Sequence, residues 1–323
     1  MITVSNLTKW YGDHLAVEDL SFEIGEGHVY GFLGPNGAGK STTMNIMTGC
    51  LSATSGQVLI DGHDIFEEPE EAKRQIGYLP EQPPLYMSES PREYLRFVGE
   101  AKGLRGAELE SQIDAVIRQT GIQDVAHRRI SALSKGYKQR VGIAQALMGD
   151  PKVIILDEPT VGLDPLQIIE IRDLIRELGK GHTVIFSSHI LSEVQTICDE
   201  ILMIAHGRLV AFDTPEALEK ALLTPNELLL TTDVESKAVQ DILADIPEVS
   251  QIHISSLPGG RISVQVRTGS GDLYETARAV FRGFAKKGLD LLELRLQKAD
   301  LEDVFIELSE GSEKTKESEA DEP

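Results

Sequence analysis

The residues with the clearest chemical purpose form the stretch "GPNGAGKST" at positions 34–42. It fits the pattern G-x-x-x-x-G-K-[ST], follows the apolar run 28–33 and precedes a predicted helix that begins at Lys40. In such a loop, backbone N–H groups turn towards phosphate oxygens, and the helix N-terminus favours negative charge. Lys40 would add a charge towards the β- and γ-phosphates, and Ser41 would ligate Mg²⁺. The alternative is a glycine-rich turn that merely precedes a helix.

A pair of carboxylates supplies a second chemical feature, in "KVIILDEPT" at 152–160. The apolar run is predicted to be a strand that ends at Asp157 and Glu158, and the carboxyl ends of strands are where open α/β sheets bind ligands. We expect Asp157 to hold Mg²⁺ through its water shell and Glu158 to act as the general base that polarises an attacking water. The alternative is a strand end followed by an ordinary turn.

The elements that must position these residues are short apolar runs alternating with helical patterns. Several runs are apolar almost throughout, which is typical of strands buried on both faces of a parallel sheet. Residues 88–149 are instead mostly helical in pattern, which predicts an all-helical insert in an α/β core. The predicted strands are 28–33, 56–60, 75–79, 152–156, 182–186 and 200–205, with helices at 40–49 and 166–180.

A second unit follows Thr214 and Pro215, and its pattern is β-α-β-β-α-β, the order of a ferredoxin-like domain. The predicted elements are a strand at 227–232, a helix at 234–245, strands at 251–257 and 261–268, a helix at 271–287 and a strand at 291–297. We therefore expect a first domain over 1–220 and a small α+β domain over 221–310. The polar, mostly acidic end, 311–323, is predicted to be a disordered tail.

Composition limits the classes of function. The 323-residue chain has a net charge of −21, so it lacks the broad basic surface that nucleic-acid binding requires. Its two cysteines, Cys50 and Cys198, are too few for a disulfide framework and indicate a reducing compartment. Neither a signal peptide nor an apolar run of 18 residues is present, so any membrane role must come through a partner.

The order of the motifs resembles one family. After the phosphate loop come "LSKGYKQRV" at 133–141, "ILDEPTVGLDP" at 155–165 and "VIFSSH" at 184–189. Over about residues 1–220 the chain resembles the nucleotide-binding subunit of an ATP-binding cassette (ABC) transporter. The resemblance implies an α/β P-loop NTPase core with an antiparallel β subdomain. It also implies that two subunits sandwich two ATP molecules head to tail, with the signature motif of one subunit capping the γ-phosphate held by the other.

The resemblance assigns roles to further residues. Tyr11 matches the aromatic residue that stacks on adenine, although it could be a core aromatic, and Trp10 could share the task. His189 matches the histidine that contacts the γ-phosphate and the attacking water, against the alternative of a polar loop residue. Asp164 matches the aspartate that links the two active sites, a role compatible with capping the helix that starts at Pro165.

The sequence departs from the family pattern in two places. Glu81 stands where the family usually has a glutamine that couples the metal to the membrane partner, and Gln82 follows it, so either could face the metal. The signature reads "LSKGY", which retains Ser134 and Gly136 for phosphate but replaces a glycine by Lys135. Lys135 could add charge to that contact or lie outward in water. Both changes recur in a subgroup of exporter-type cassettes whose permease is a separate chain, and those chains end much like "LEDVFIELSE" at 301–310.

The expected function is an ATPase subunit at the cytoplasmic face of the membrane that powers a separate permease, in the direction of export. The permease would dock near 81–87. The alternative is a soluble ABC-type ATPase that acts on nucleic acid or ribosomes; a small-molecule kinase would share only the loop and Asp157.

The expected nucleotide-binding residues are Tyr11, Gly34, Pro35, Asn36, Gly37, Ala38, Gly39, Lys40, Ser41, Thr42, Ser134, Lys135, Gly136 and Asp164. The expected catalytic residues are Glu158, His189 and Lys40, and the expected Mg²⁺ ligands are Ser41, Glu81 and Asp157.

Overall fold

The computed structural model describes residues 1–222, 227–269 and 273–297. The chain divides between Glu216 and Ala217 into two compact units, and each is described by itself. A helix, α8 (Pro215–Leu222), contains the point of division. Among the described residues, no helix is both long enough and apolar enough to cross a membrane. The segment 301–310 and the predicted tail 311–323 lie outside the described residues.

The first unit begins with an antiparallel sheet of four strands in the order β2-β1-β4-β5. Apolar residues alternate with polar ones along these strands, so one face packs on the core and the other meets solvent. The run 56–60 belongs to this sheet, because it pairs with β1; Val58 and Ile60 are buried, while Leu59 between them is partly exposed. The strands are β1 (Ile2–Tyr11), β2 (His14–Ile24), β4 (Ser55–Ile60) and β5 (His63–Asp64).

A six-stranded sheet in the order β10-β9-β3-β8-β7-β6 forms the centre of the first unit. Its strands pair in parallel except for β10, which pairs antiparallel with β9. Strands β3, β7 and β8 are buried throughout, as their continuous apolar runs predict. The strands are β3 (Val29–Leu33), β6 (Ile76–Leu79), β7 (Val153–Leu156), β8 (Thr183–Ser188), β9 (Glu200–Ala205) and β10 (Arg208–Asp213).

The sheet brings the ends of its central strands together. Because β3, β7 and β8 are parallel neighbours, the loops that follow Leu33, Leu156 and Ser188 leave from the same edge. Those loops carry the phosphate-loop sequence, the two carboxylates and His189. The helices of this core are α1 (Lys40–Met47), α2 (Pro69–Arg74), α6 (Pro165–Leu178) and α7 (Leu191–Ile197).

The helical segment between β6 and β7 contains α3 (Pro91–Ala101), α4 (Gly106–Gln119) and α5 (Lys135–Leu147). A capping box starts α3: the Ser90 hydroxyl accepts from the Glu93 N–H, and the Glu93 carboxylate accepts from the Ser90 N–H. Arg92 and Arg96 of α3 form ion pairs with α4, both of them reaching Glu110. The all-helical character expected for 88–149 is therefore present, with two short 3₁₀ turns before α5.

The second unit has the predicted order β-α-β-β-α-β. Its four strands form an antiparallel sheet in the order β12-β13-β11-β14, and both helices pack on one face of it around a core that includes Leu230, Val264 and Phe284. The elements are β11 (Glu227–Thr232), α9 (Ser236–Leu243), β12 (Val249–Ser256), β13 (Ile262–Thr268), α10 (Leu273–Lys287) and β14 (Glu293–Gln297).

Candidate functional site

The phosphate-loop sequence connects β3 to α1 and folds tightly against β2. Gly39 caps α1 with φ 101°, a left-handed conformation that favours glycine, and a Cβ there would lie 2.7 Å from the Ala16 carbonyl oxygen. The Lys40 ammonium donates to the carbonyl oxygens of Gly34 (2.7 Å) and Pro35 (3.2 Å). The side chain of Lys40 therefore lies along the inside of its own loop.

Lys40 also faces carboxylates. Its Nζ lies 3.5 Å from Glu158 Oε1, and both side chains are buried. Burial lowers the pKa of Lys40, while the charges of Glu158, Asp157 and Glu81 oppose that shift. The site thus places one ammonium among three carboxylates. The ammonium can offset the negative charge of a phosphate, and the carboxylates can offset the positive charge of a divalent ion.

Asp157 is held by two hydroxyl groups. The carboxylate is only 3% exposed, and its Oδ1 accepts from Ser187 Oγ at 2.6 Å and Ser41 Oγ at 3.3 Å. A carboxylate beside a hydroxyl is a hard-oxygen donor set of the kind Mg²⁺ prefers. In the described part of the chain, no three His, Cys, Asp or Glu side chains group as a metal site.

Glu158 has an unusual backbone. Its φ is 47°, a left-handed conformation that costs a non-glycine residue roughly 1–2 kcal/mol. The Glu158 N–H donates to Ser187 Oγ at 2.7 Å, which holds the turn in place. The carboxylate then lies between Lys40 on one oxygen and His189 Nδ1, 3.0 Å away, on the other. A carboxylate fixed from both sides can orient and polarise a water molecule.

Lys40, Glu158 and His189 line a cleft of about 360 Å³ that also contains Tyr11, His14 and Glu81. Glu81 lines the cleft and Gln82 does not, so of the two candidates Glu81 is the one beside the loop. The Tyr11 ring is about half exposed, with the Lys9 ammonium 5.2 Å from its centroid, and is free to stack on a flat ligand. His14, the first residue of β2, belongs to no sequence motif and was not predicted to be part of the site.

The signature residues line a second cleft, of about 410 Å³. Ser134 caps α5, and its hydroxyl accepts from the Tyr137 N–H. Asp164 caps α6 in the same way and lines this cleft with Ser134 and Gly136. A Cβ at Gly136 would lie 2.7 Å from the Gln167 side-chain carbonyl carbon, so a larger residue there would displace the Gln167 side chain. Most of the expected nucleotide-binding residues are thus divided between two clefts of one chain, whereas Gly34, Ala38 and Lys135 line neither.

Lys135 belongs to neither set of lining residues. Its side chain is exposed, and its ammonium lies beside Gly162, so close that a Cβ at Gly162 would be 2.1 Å from Nζ. The ammonium therefore rests against the loop between Glu158 and Asp164 of its own chain. This contact lies within one chain. It therefore matches neither of the two interpretations of Lys135, the contact with a phosphate or the outward position in water.

Two positioning residues had no signal in the sequence. Ser187 bridges Asp157 and Glu158, as described above. Glu193 of α7 is 2% exposed, and its carboxylate accepts from Thr160 Oγ1 at 2.7 Å and Ser188 Oγ at 3.0 Å. It joins the loop after Glu158 to the strand end before His189. Both residues act through contacts between segments more than 25 residues apart, which no local pattern reveals.

Comparison with known proteins identifies the family of this chain. The family model for ABC transporter matches residues 17–161. The chain is 34% identical to the bacitracin transport ATP-binding protein BcrA of Bacillus licheniformis, over 96% of this chain and 98% of that protein. It is 31% identical to the linearmycin resistance ATP-binding protein LnrL of Bacillus subtilis (strain 168), over 96% and 98% of the two chains.

A solved structure is also similar. A dimeric, post-hydrolysis ATP-binding cassette, MJ0796, bound to ADP and Pi, matches with a TM-score of 0.60 and 26% identity, over 66% of this chain and 98% of that one. Subunits of this family bind ATP, dimerise and pair with membrane permeases. In this chain the phosphate loop, Glu158 and His189 line one cleft. The chain belongs to the ABC transporter family, as an ATP-binding ATPase subunit.

Proposed function

We propose that this chain hydrolyses ATP to power a separate membrane permease for export, through ATP-driven, head-to-tail pairing of two subunits. The observation that carries the proposal is the division of the nucleotide-binding residues. Lys40, Glu158 and His189 line one cleft, while Ser134, Gly136 and Asp164 line another. A single chain then offers two incomplete sites, and two chains related by a twofold axis complete both.

The roles in hydrolysis follow from the contacts. Lys40 and the loop N–H groups hold the β- and γ-phosphates, and Tyr11 stacks on adenine. Ser41, Asp157 and Glu81 would hold Mg²⁺, which supplies charge neutralisation on the phosphates when bound. Glu158 orients and polarises the attacking water, and His189, 3.0 Å from Glu158, fixes that carboxylate and contacts the γ-phosphate.

Replacing Glu158 with Gln tests the catalytic role. The amide keeps the shape but cannot accept a proton, so hydrolysis is expected to fall at least about a hundredfold, roughly 2.7 kcal/mol in the barrier. An ATP-bound dimer should accumulate, visible by size-exclusion chromatography with light scattering. Glu177→Gln is the matched control, because Glu177 pairs with Lys180 on the surface of α6. Wild-type turnover in Glu158→Gln would remove Glu158 from the mechanism.

An exposed aromatic patch supports the permease partner. Tyr86, Met87 and Phe97 are each about half exposed, and we call these three residues the docking patch. The Tyr86 ring lies 5.1 Å from that of Phe97 and 5.5 Å from that of Tyr94, so the patch is held by α3. Glu81, which lines the nucleotide cleft, is five residues before Tyr86. Exposed apolar groups only five residues along the chain from a residue that lines the nucleotide cleft favour a coupling contact with a protein partner.

The docking patch can be tested by substitution. Phe97→Asp should reduce the permease retained in a detergent pull-down at least tenfold, because a charge would have to enter an apolar contact. Nucleotide binding by the isolated subunit should not change. Phe66→Asp is the matched control, since Phe66 is also an exposed phenylalanine of the first unit. Equal losses in the two variants would contradict the assignment of the patch.

The separate permease and the export direction rest on further support. The names of two relatives, for bacitracin transport and for linearmycin resistance, are consistent with export.

We place the chain at the cytoplasmic face, with a nucleotide-binding domain over 1–220, an accessory domain over 221–310 and a tail over 311–323. Co-purification with a multi-helix membrane protein tests the proposal, and tight RNA or DNA binding at physiological salt would overturn it.

A further inference from the structure

The two helices of the second unit form one continuous surface. Helices α9 and α10 pack side by side on the same face of the sheet. They cross closely, since a Cβ added at Gly283 would lie 2.6 Å from Ile242 Cγ2. Their outward side chains therefore share a single face, which we call the helix surface: the exposed residues of segment 233–248 and of α10.

The two halves of the helix surface carry opposite charge. Helix α10 has four basic residues and one acidic residue, whereas segment 233–248 has five acidic residues and one basic residue. The basic half is a local exception in a chain of net charge −21. The α10 residues are Arg278, Arg282, Lys286, Lys287 and Glu275, and those of the acidic half are Asp233, Glu235, Asp241, Asp245, Glu248 and Lys237.

Two aromatic side chains stand on the basic half. Phe281 is 60% exposed and Tyr274 is 61% exposed, and their spacing of seven residues places them on the same side of α10. Exposed large apolar groups of this kind are typical of contact surfaces. None of the ion pairs among the described residues involves Arg282, Lys286, Asp241 or Asp245, all of which are exposed. Those four charges can face another molecule.

We propose that the helix surface pairs with the same surface of a second copy of this chain. A twofold axis running along the helices, between them, places α10 of each copy over the acidic segment of the other. Opposite charges then meet twice, and Phe281 is covered in each copy. An anionic lipid surface would attract α10 but would repel the acidic segment beside it, so a copy of the chain fits better.

The size of the surface predicts a weak contact. A helix of 15 residues is about 22 Å long, and two adjacent helices offer less than the roughly 800 Å² per partner of a standard interface. We expect a dissociation constant on the order of 10 µM at low salt, weakening as salt rises. This pairing needs no nucleotide, so its failure would be distinguishable from failure of the ATP-driven dimer.

Charge reversal tests the pairing on the full chain, in nucleotide-free buffer, by sedimentation equilibrium. One variant carries Arg282→Glu with Lys286→Glu, and the other carries Asp241→Lys with Asp245→Lys. Each alone should associate at least tenfold more weakly than wild type, because like charges would meet at both contacts. An equimolar mixture of the two variants should recover to within about threefold of wild type, since opposite charges meet again. Circular dichroism confirms that each variant is folded.

Mixing distinguishes contacts between chains from contacts within one, because repulsion inside a single chain is not relieved by a second variant. The proposal is overturned if wild type stays monomeric up to about 200 µM, tenfold or more above the expected constant. It is also overturned if reversal changes nothing, or if the mixture associates no better than either variant alone. Binding of monomeric wild type to phosphatidylglycerol vesicles, without self-association, would assign the surface to lipid instead.

Discussion

At the scale of single residues, one hydroxyl organises the catalytic edge. Ser187 Oγ donates to Asp157 and accepts from the Glu158 N–H, so it fixes both a proposed metal ligand and the proposed base. Ser187 is fully buried at the end of β8. It touches neither the phosphate loop nor the cleft, and therefore acts by positioning.

Replacing Ser187 with Ala removes both hydrogen bonds. We expect kcat for ATP hydrolysis to fall about tenfold to a hundredfold, or 1.4–2.7 kcal/mol in the barrier. Affinity for nucleotide without Mg²⁺ should stay unchanged, because the loop residues are not touched. Ser192→Ala, at an exposed position of α7, is the control. A variant that lost binding and turnover in equal measure would point to a purely structural role for Ser187.

At the scale of elements, the helical segment depends on how its first helix starts. Ser90 and Glu93 satisfy each other's N–H groups, and Pro91 at the first helical position has the φ a helix needs. The start of α3 in turn fixes the direction in which Phe97 points within the docking patch.

Removing this cap should destabilise the segment measurably. Ser90→Ala is expected to lower the free energy of unfolding by about 1 kcal/mol, the usual loss for a helix N-cap. Urea unfolding followed by circular dichroism provides the measurement. Ser88→Ala, two residues earlier and exposed, should change the stability by less than about 0.5 kcal/mol. Equal stability of Ser90→Ala and wild type would show that α3 does not rely on its cap.

At the scale of the whole molecule, the two units have separate hydrophobic cores. The core of the first unit surrounds β3, β7 and α1, while that of the second lies between its sheet and its two helices. Each unit is therefore expected to be stabilised by its own core, and a substitution in one core should first lower the stability of the unit that contains it.

Two phenylalanines of α10 allow a matched test. Phe284 is 1% exposed and Phe281 is 60% exposed. Phe284→Ala should lower the stability of the second unit by about 3–5 kcal/mol, through lost burial and a cavity, while Phe281→Ala should be nearly neutral. Hydrogen exchange at 1 µM chain, read from peptides within 227–297, measures both. Retained ATP binding in Phe284→Ala would confirm that the first unit folds by itself; its loss would contradict separate cores.

Local sequence patterns suffice to predict the family and most of the helices and strands. Glycine spacing before Lys40, the apolar run before Asp157 and the strand before His189 are local patterns, and backbone sterics and burial act on them locally. The order of elements in the second unit was readable for the same reason. The long strands β1 and β2 were not among the predicted strands; their pairing shifts register between Val4 and Trp10, and the pattern of one strand does not show how it pairs with another.

Tertiary structure alone decided which residues meet. The left-handed turn at Glu158, the Ser187 bridge and the buried Glu193 depend on strands that are distant in sequence but adjacent in the sheet. The separation of Lys40 and Ser134 into different clefts depends on the helical segment folding away from the loop. Residue types and their spacing along the chain determine local geometry. Contacts across a parallel sheet, in contrast, exist only once the crossover connections have brought the strands together.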